Sequence, residues 1–164
     1  MSRLTQKRLK ELLHYNPEDG TFIWLKPPKR KPYLFRKPAG TFRPNSYIYI
    51  KVEGRLYGAH RLAFLWMTGK WPQKEVDHIN RDPSDNRWEN LREATPSQNK
   101  MNVDLQSNNR SHHKGVHWYK RDKKWYARIT KNGEKKHLGC FESLDEAVAA
   151  RHKAESELFG EYAA

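Results

Sequence analysis

The chain has 164 residues, enough for one ordinary domain or two to three small modules, each with a modest core. Its 32 Lys and Arg against 19 Asp and Glu leave a formal net charge of +13, so a polyanion is the expected partner and nucleic acid the leading candidate. No apolar run approaches the ~18 residues of a spanning helix, nothing at the start reads as a signal peptide, and the single Cys140 excludes an internal disulfide and a multi-Cys zinc knuckle, so a soluble intracellular protein held by packing is expected.

Leu4, Leu9, Leu12 and Leu13 recur at helical spacing with Thr5 as a candidate cap, which predicts a short N-terminal helix. Asp19-Gly20 is a turn signal before Phe22, Ile23 and Trp24, which read as a strand in a hairpin. Residues 26 to 38, KPPKRKPYLFRKP, combine four prolines with six Lys or Arg, which predicts an extended basic loop without regular structure. Such a loop suits either a solvated linker or contact with phosphates. Further on, Ile48, Ile50 and Val52 alternate, Glu53-Gly54 turns, and Leu56 resumes, a β-hairpin. Leu62, Phe64, Leu65 and Trp66 before Gly69 predict a buried helix with a glycine stop. His60 and Arg61 open that helix, and His60 suits either a partly buried structural role or a contact with DNA.

The stretch EVDHINRDPSDNRWENLREATPSQNKMN, residues 75 to 102, is dense in Asp, His and Asn. Asp77 and His78 follow Val76 at the end of a short strand, residues 79 to 87 are turn-rich, residues 90 to 94 can return as a second strand, and Thr95-Pro96 starts a helix one turn before Asn99. Such a ββα unit can bring Asp77 and His78 beside Asn99. The Asp77 carboxylate and the Asn99 amide oxygen are hard donors suited to Mg²⁺ or Mn²⁺ with positions left for water and phosphate. Neutral His78 can take a proton from water near physiological pH, whereas Asn90 is better suited to pinning the loop or orienting His78. Asp82 and Asp85 fit turn roles, and Arg81, Arg87 and Arg92 fit solvated or phosphate-facing ones.

Residues 101 to 113, MNVDLQSNNRSHH, read as a polar connector. Beyond it, residues 114 to 120, 124 to 130 and 134 to 139 alternate as three short strands with Asn132-Gly133 at a hairpin turn. Ser143 with Glu146 suggests a capped helix whose Ala147, Ala150, Ala154 and Leu158 share a face. Val116, Trp118, Trp125, Ala127, Ile129 and Leu138 should face that helix, the two Trp rings filling the gap. His117, Tyr119, Tyr126, Arg128, Thr130, Lys135 and His137 belong to the polar side, suited to a DNA groove.

Two resemblances attach to these residues. Asp77-His78, Asn90 and Asn99, twelve and then nine positions apart, resemble the HNH (His-Asn-His) endonucleases of the ββα-metal fold, in the phage-borne homing and nicking variant where Asn replaces the final His. That resemblance implies one divalent metal, Mg²⁺ or Mn²⁺, on Asp77 and Asn99, water activated by His78, and a loop braced by Asn90. The chain lacks the Cys pairs of zinc-stabilised members, so no structural zinc is implied. The C-terminal string is similar to the Apetala-type (ethylene-response-factor) DNA-binding domain, through Gly115-Val116, Trp125, Ile129, Leu138-Gly139, Phe141 and the Ala-rich helix. By that resemblance Lys114, His117, Tyr119, Arg128, Thr130, Lys135 and His137 contact DNA.

The expectation is an α+β chain: residues 1–44 as helix, hairpin and basic Pro-rich loop, 45–102 as an HNH ββα-metal nuclease module, 103–113 as linker, and 114–164 as a three-stranded antiparallel sheet on one helix that binds DNA. Its partner would be double-stranded DNA rather than a membrane. A monomer, nicking one strand per encounter, is expected in the cytoplasm of a phage-infected bacterium, and a dimer could cut both strands. The rival is a non-catalytic DNA-binding regulator retaining an HNH-like fold, against which the intact Asp77, His78 and Asn99 argue.

Overall fold

A computed structural model describes residues 4–44, 46–102 and 109–162, and the chain divides into two compact units, Met1–Glu93 and Ala94–Ala164. The division falls inside the stretch assigned from sequence to the nuclease module. Among the described residues the structure is a mixed α and β one, with four helices and four small sheets. No helix among them is long and apolar enough to cross a membrane.

The first unit opens with helix α1, Gln6–Leu12, capped by Thr5, whose side chain accepts from the Arg8 amide. Leu13 does not continue the helix. It turns into extended backbone and begins strand β1, Leu13–Tyr15, paired antiparallel with β2, Phe22–Trp24, because facing Trp24 buries it as deeply as a further helical turn would. The basic segment 26 to 38 departs from expectation: Pro32–Leu34 form a 3₁₀ turn, and the chain docks along β2, with Trp24 N–H donating to the Lys37 carbonyl and Arg36 N–H to that of Trp24. Proline removes donors, but carbonyls and the N–H groups of its neighbours remain to bond an exposed strand edge.

Strands β3, Thr41–Phe42, β4, Ile48–Val52, and β5, Arg55–Gly58, form a three-stranded antiparallel sheet, with the β4–β5 turn at Glu53-Gly54. Helix α2, Ala59–Thr68, buries Leu62, Ala63, Phe64 and Leu65, and Gly69 ends it in the left-handed conformation. Leu9, Leu13, Tyr15, Ile50, Val52, Leu62 and Leu65 are almost wholly buried in one cluster. Burial of each is worth about 1.5–3 kcal/mol for an aliphatic side chain. Against this core sit β6, Glu75–His78, and β7, Leu91–Ala94, which pair as a two-stranded sheet on either side of a polar loop.

The second unit begins with helix α3, Pro96–Asn99, where the Thr95 hydroxyl and the Gln98 side chain cap each other's backbone N–H groups, followed by a 3₁₀ turn at Lys100–Asn102. Met101 is not a linker residue: it is buried in a cluster with Ile129, Ala154 and Phe159. An apolar side chain in a polar run is drawn into whatever core lies within reach, which periodicity does not register. The 103–113 connector lies outside the described residues as far as 108. From Asn109 onward it is wired to the sheet, the buried Ser111 hydroxyl donating to the Val116 carbonyl at 2.6 Å.

Strands β8, Val116–Tyr119, β9, Lys124–Lys131, and β10, Glu134–Phe141, make the antiparallel sheet in the order β10-β9-β8, with helix α4, Leu144–Phe159, against one face. Val116, Ala127 and Ala147 form the tightest part of that contact, with Trp125, Leu138 and Phe141 around them. Trp118 does not fill the gap as expected. It is 44% exposed, with its ring edge-on to Trp125, because alanines along α4 bring helix and sheet too close to admit both indoles.

Candidate functional site

β6 ends on Asp77 and His78, which are 5% and 4% exposed. A buried carboxylate requires a partner, and Asp77 has one in Arg92 of β7, whose Nε donates to Oδ2 at 2.9 Å. The strand pair that places Asp77 thus brings its counter-charge across from fifteen residues away. A carboxylate is a hard oxygen donor of the kind that a divalent metal ion takes.

The loop after β6 is held by Asn90, in a 3₁₀ turn that leads into β7. Its Nδ2 donates to Asn80 Oδ1 at 2.9 Å and to the Asp85 carbonyl at 2.8 Å, and its Oδ1 accepts from the Asn80 amide at 2.9 Å. Asp82 accepts from Ser84, and Asp85 from Asn80 and Arg87, whose guanidinium also reaches Glu89. Arg87 is therefore engaged by two carboxylates. The Arg87 guanidinium holds the Asp85 carboxyl down, at about 2.

The side chain beside the His78 Nε2 is Asn86, with Oδ1 at 3.4 Å. Asn86 is itself almost wholly buried, and its carbonyl accepts from the Tyr15 hydroxyl at 2.7 Å. That approach depends on Gly20, because a Cβ there would stand 2.4 Å from both the Arg87 nitrogen and the Asn86 carbonyl carbon. On its other side His78 joins two rings. His60, in the first turn of α2, lies edge-on at 5.4 Å between centroids, and Tyr47 at 5.7 Å, while Tyr47 and His60 are 5.3 Å apart. A Cβ on Gly58 would fall 2.6 Å from the His60 ring, so the glycine makes room for the imidazole.

Burial sets the charge state of this ring cluster. It pushes His60 down to about 3, with His78 and Arg61 adding to the effect, and His60 Nδ1 finds no hydrogen-bond partner among the described residues. Burial also lowers His78, against smaller opposing contributions from Asn86 and the carboxylates of Asp77, Asp82 and Asp85. Both rings are neutral at neutral pH, the form of a histidine that can accept a proton.

Of the residues singled out in the sequence, Asp77, His78 and Asn90 come together in the first unit, and Asn99 ends α3 in the second. Tyr47, His60, Asn86 and Arg92 escape a sequence reading in the roles they hold here. Only His60 carries a prior signal, as a histidine opening an apolar helix.

In the second unit, His117, Tyr119, Arg128, Thr130, Lys135 and His137 are exposed on the sheet, while Lys114 is half-buried and donates from Nζ to the Met101 carbonyl at 2.6 Å. Register places His117 opposite Tyr126, His137 opposite Arg128, and Lys135 opposite Thr130. Tyr126 gathers the rings: Tyr119, His137 and His117 lie 5.0, 5.6 and 6.4 Å from it. Partial burial lowers His117, and the nearby Arg128 charge adds to it. A cleft of about 510 Å³ opens in the same unit, bordered by Lys100, Lys114, Arg128 and Arg151 with no carboxylate among its lining residues.

Comparison with known proteins finds a match between residues 57–101 and the family model described as HNH endonuclease. Protein 3.8 of Escherichia phage T7 is 34% identical over 88 residues, which make up 54% of this chain and 72% of that protein. A protein of Acanthamoeba polyphaga mimivirus named uncharacterized HNH endonuclease L560 is 35% identical over 107 residues, 64% of this chain and 54% of the relative, so the chain spans about half of its length. No solved structure matches.

Proposed function

The chain belongs to the HNH endonuclease family, and from that premise we propose that it is a metal-dependent endonuclease of double-stranded DNA, of the homing or nicking type. The observation that carries this is the buried Asp77-His78 pair at the end of β6, with the following loop braced by Asn90 and the imidazole neutral. Asp77 and Asn99 would hold one divalent cation, Mg²⁺ or Mn²⁺, and the support for Asn99 is its type and its spacing from Asn90 in the sequence. When bound, the cation supplies a Lewis acid that stabilises negative charge on the departing oxygen. Arg92 keeps the Asp77 carboxylate fixed, and Tyr47, His60 and Asn86 fix the plane of the His78 ring. His78 takes a proton from water as the water oxygen bonds to phosphorus. The bond from phosphorus to the 3′ oxygen breaks, and solvent protonates that oxygen, leaving 5′-phosphate and 3′-hydroxyl ends.

The C-terminal sheet, similar to the Apetala-type domain, is the proposed DNA reader through Lys114, His117, Tyr119, Arg128, Thr130, Lys135 and His137. A monomer would nick one strand per encounter, and a dimer would cut both. The near-complete burial of His78 is also what a DNA-binding regulator that had lost catalysis would show, so the second reading is a non-catalytic member of the same family.

A supercoiled-plasmid assay tests the proposal. Wild type should relax the plasmid with Mg²⁺ or Mn²⁺ and not with EDTA, and His78→Ala should lose at least about a hundredfold in rate, the low end for a general base. The rate should fall on acidification only below the ordinary histidine range, because the lowered His78 stays neutral further down. Cutting in EDTA, or full activity of His78→Ala, sinks the assignment.

A further inference from the structure

The Pro-rich basic segment of the first unit borders a cleft that neither the catalytic proposal nor the C-terminal reader uses. It has a volume of about 690 Å³ and lies between the 26–38 segment, α1 and the β3-β4-β5 sheet. Lys26, Lys29, Arg30, Lys31 and Lys51 border it, and its single lining carboxylate, Glu53, is engaged by Arg8, whose guanidinium is 2.7 Å away. The remaining lining charge is uniformly positive. Two tyrosine rings, Tyr33 and Tyr49, share the cleft with these cations.

The 3₁₀ turn at Pro32–Leu34 explains how one of those rings is presented. Leu34 packs against the unit's core, while its neighbours Tyr33 and Phe35 are 69% and 52% exposed. At about three residues per turn, successive side chains point about 120° apart, so a turn that buries Leu34 directs Tyr33 and Phe35 outward. The turn is fixed rather than loose, since Arg36 and Lys37 bond the backbone of Trp24 on β2 and Ala39 N–H donates to the Phe22 carbonyl at 2.7 Å. Tyr33 is thus an aromatic platform held in place and surrounded by cations. The Arg43 guanidinium lies 6.0 Å from the Tyr49 ring centre, which adds a further cation beside the rings of this cleft.

Exposed rings beside cations suit a ligand that offers flat π-faces and negative charge at nucleotide spacing, and a paired duplex keeps its base faces stacked away from solvent. We propose that this cleft binds unpaired nucleotides of a DNA strand, one base stacking on Tyr33 and the phosphates held by Lys29, Arg30 and Lys31. The choice of DNA rests on the nuclease reading above, whereas the stacking and charge arguments do not depend on it.

The test is fluorescence anisotropy of labelled oligo-dT, a duplex of equal length and oligo-rU against the full chain in EDTA, so no cutting is involved. Tyr33→Ala should weaken oligo-dT binding roughly tenfold, Tyr33→Phe should restore it, and duplex binding should stay within about twofold. Because Tyr33 stands on the surface, circular dichroism should be unchanged, and a Lys29→Ala, Arg30→Ala, Lys31→Ala variant reports on the same cleft without touching the ring. Equal losses for single strand and duplex, no loss in either variant, or tighter binding of oligo-rU than of oligo-dT overturns the proposal. If the plasmid assay fails and these shifts appear, the cleft stands without the catalytic assignment, and the reverse result separates them equally well.

Discussion

His60 is the residue whose environment is most at odds with its chemistry. An unfolded chain protonates it near 6.5 and the folded one only near 3, so between those values the unfolded state holds the extra proton. Its contribution to stability is complete above 6.5 and is lost as pH falls toward 3, by up to about 1.4 kcal/mol for each pH unit. His60→Phe keeps a ring against Tyr47 and His78 and removes an Nδ1 that lacks a partner, so it should flatten the pH dependence of the urea midpoint between pH 6.5 and 4 with little cost at pH 7.5. Identical pH profiles for the two proteins would refute this. The contrast with His78 shows what a sequence holds at this scale. Asp77, His78 and Asn90 are legible because their types and linear spacing carry the chemistry. Tyr47 and Asn86 are not, since their meaning comes from packing across 31 and 8 positions, which spacing does not encode.

At the level of elements, the turn between β1 and β2 supports the loop after β6. Gly20 has φ +74 and no room for a side chain against the backbone of Asn86 and Arg87, whereas Gly54, at φ +85, has nothing within 4 Å of its missing Cβ. Gly20→Ala should therefore lower the unfolding free energy by about 2–4 kcal/mol and Gly54→Ala by about 1 kcal/mol, measured by urea unfolding. Equal effects would mean that left-handed strain alone, and not the close approach, sets the cost. Helices with clear caps and hairpins with Glu53-Gly54 or Asn132-Gly133 turns could be read from the sequence because local geometry dictates them. The ordered basic segment, the departure of Leu13 into β1 and the exposed Trp118 could not. Each is decided by a neighbour remote in sequence: an open strand edge, Trp24, and a row of alanines on α4.

For the whole molecule, the boundary between the units bears on truncation. From sequence, removing residues 114–164 should weaken DNA binding or blur its site choice and preserve residual metal-dependent hydrolysis. The fold argues otherwise, because Met101 loses Ile129, Ala154 and Phe159, the Met101 carbonyl loses Lys114 Nζ, and Ser97 Oγ loses the Asn132 amide at 3.0 Å. A chain ending at 113 should then fail to hold α3, and metal-dependent nicking should fall at least about tenfold at saturating DNA, beyond any loss of affinity. Full turnover at saturation in that fragment would show that α3 holds without its sheet.

The attachment of Met101 to the C-terminal core also decides where this chain can be recombined with its relatives. A chimera joined in the polar run near 108, where composition invites a junction, would separate Met101 from the side chains that enclose it. A crossover beside Glu93 leaves both cores whole, so exchange of C-terminal units between such chains should succeed when α3 travels with the sheet.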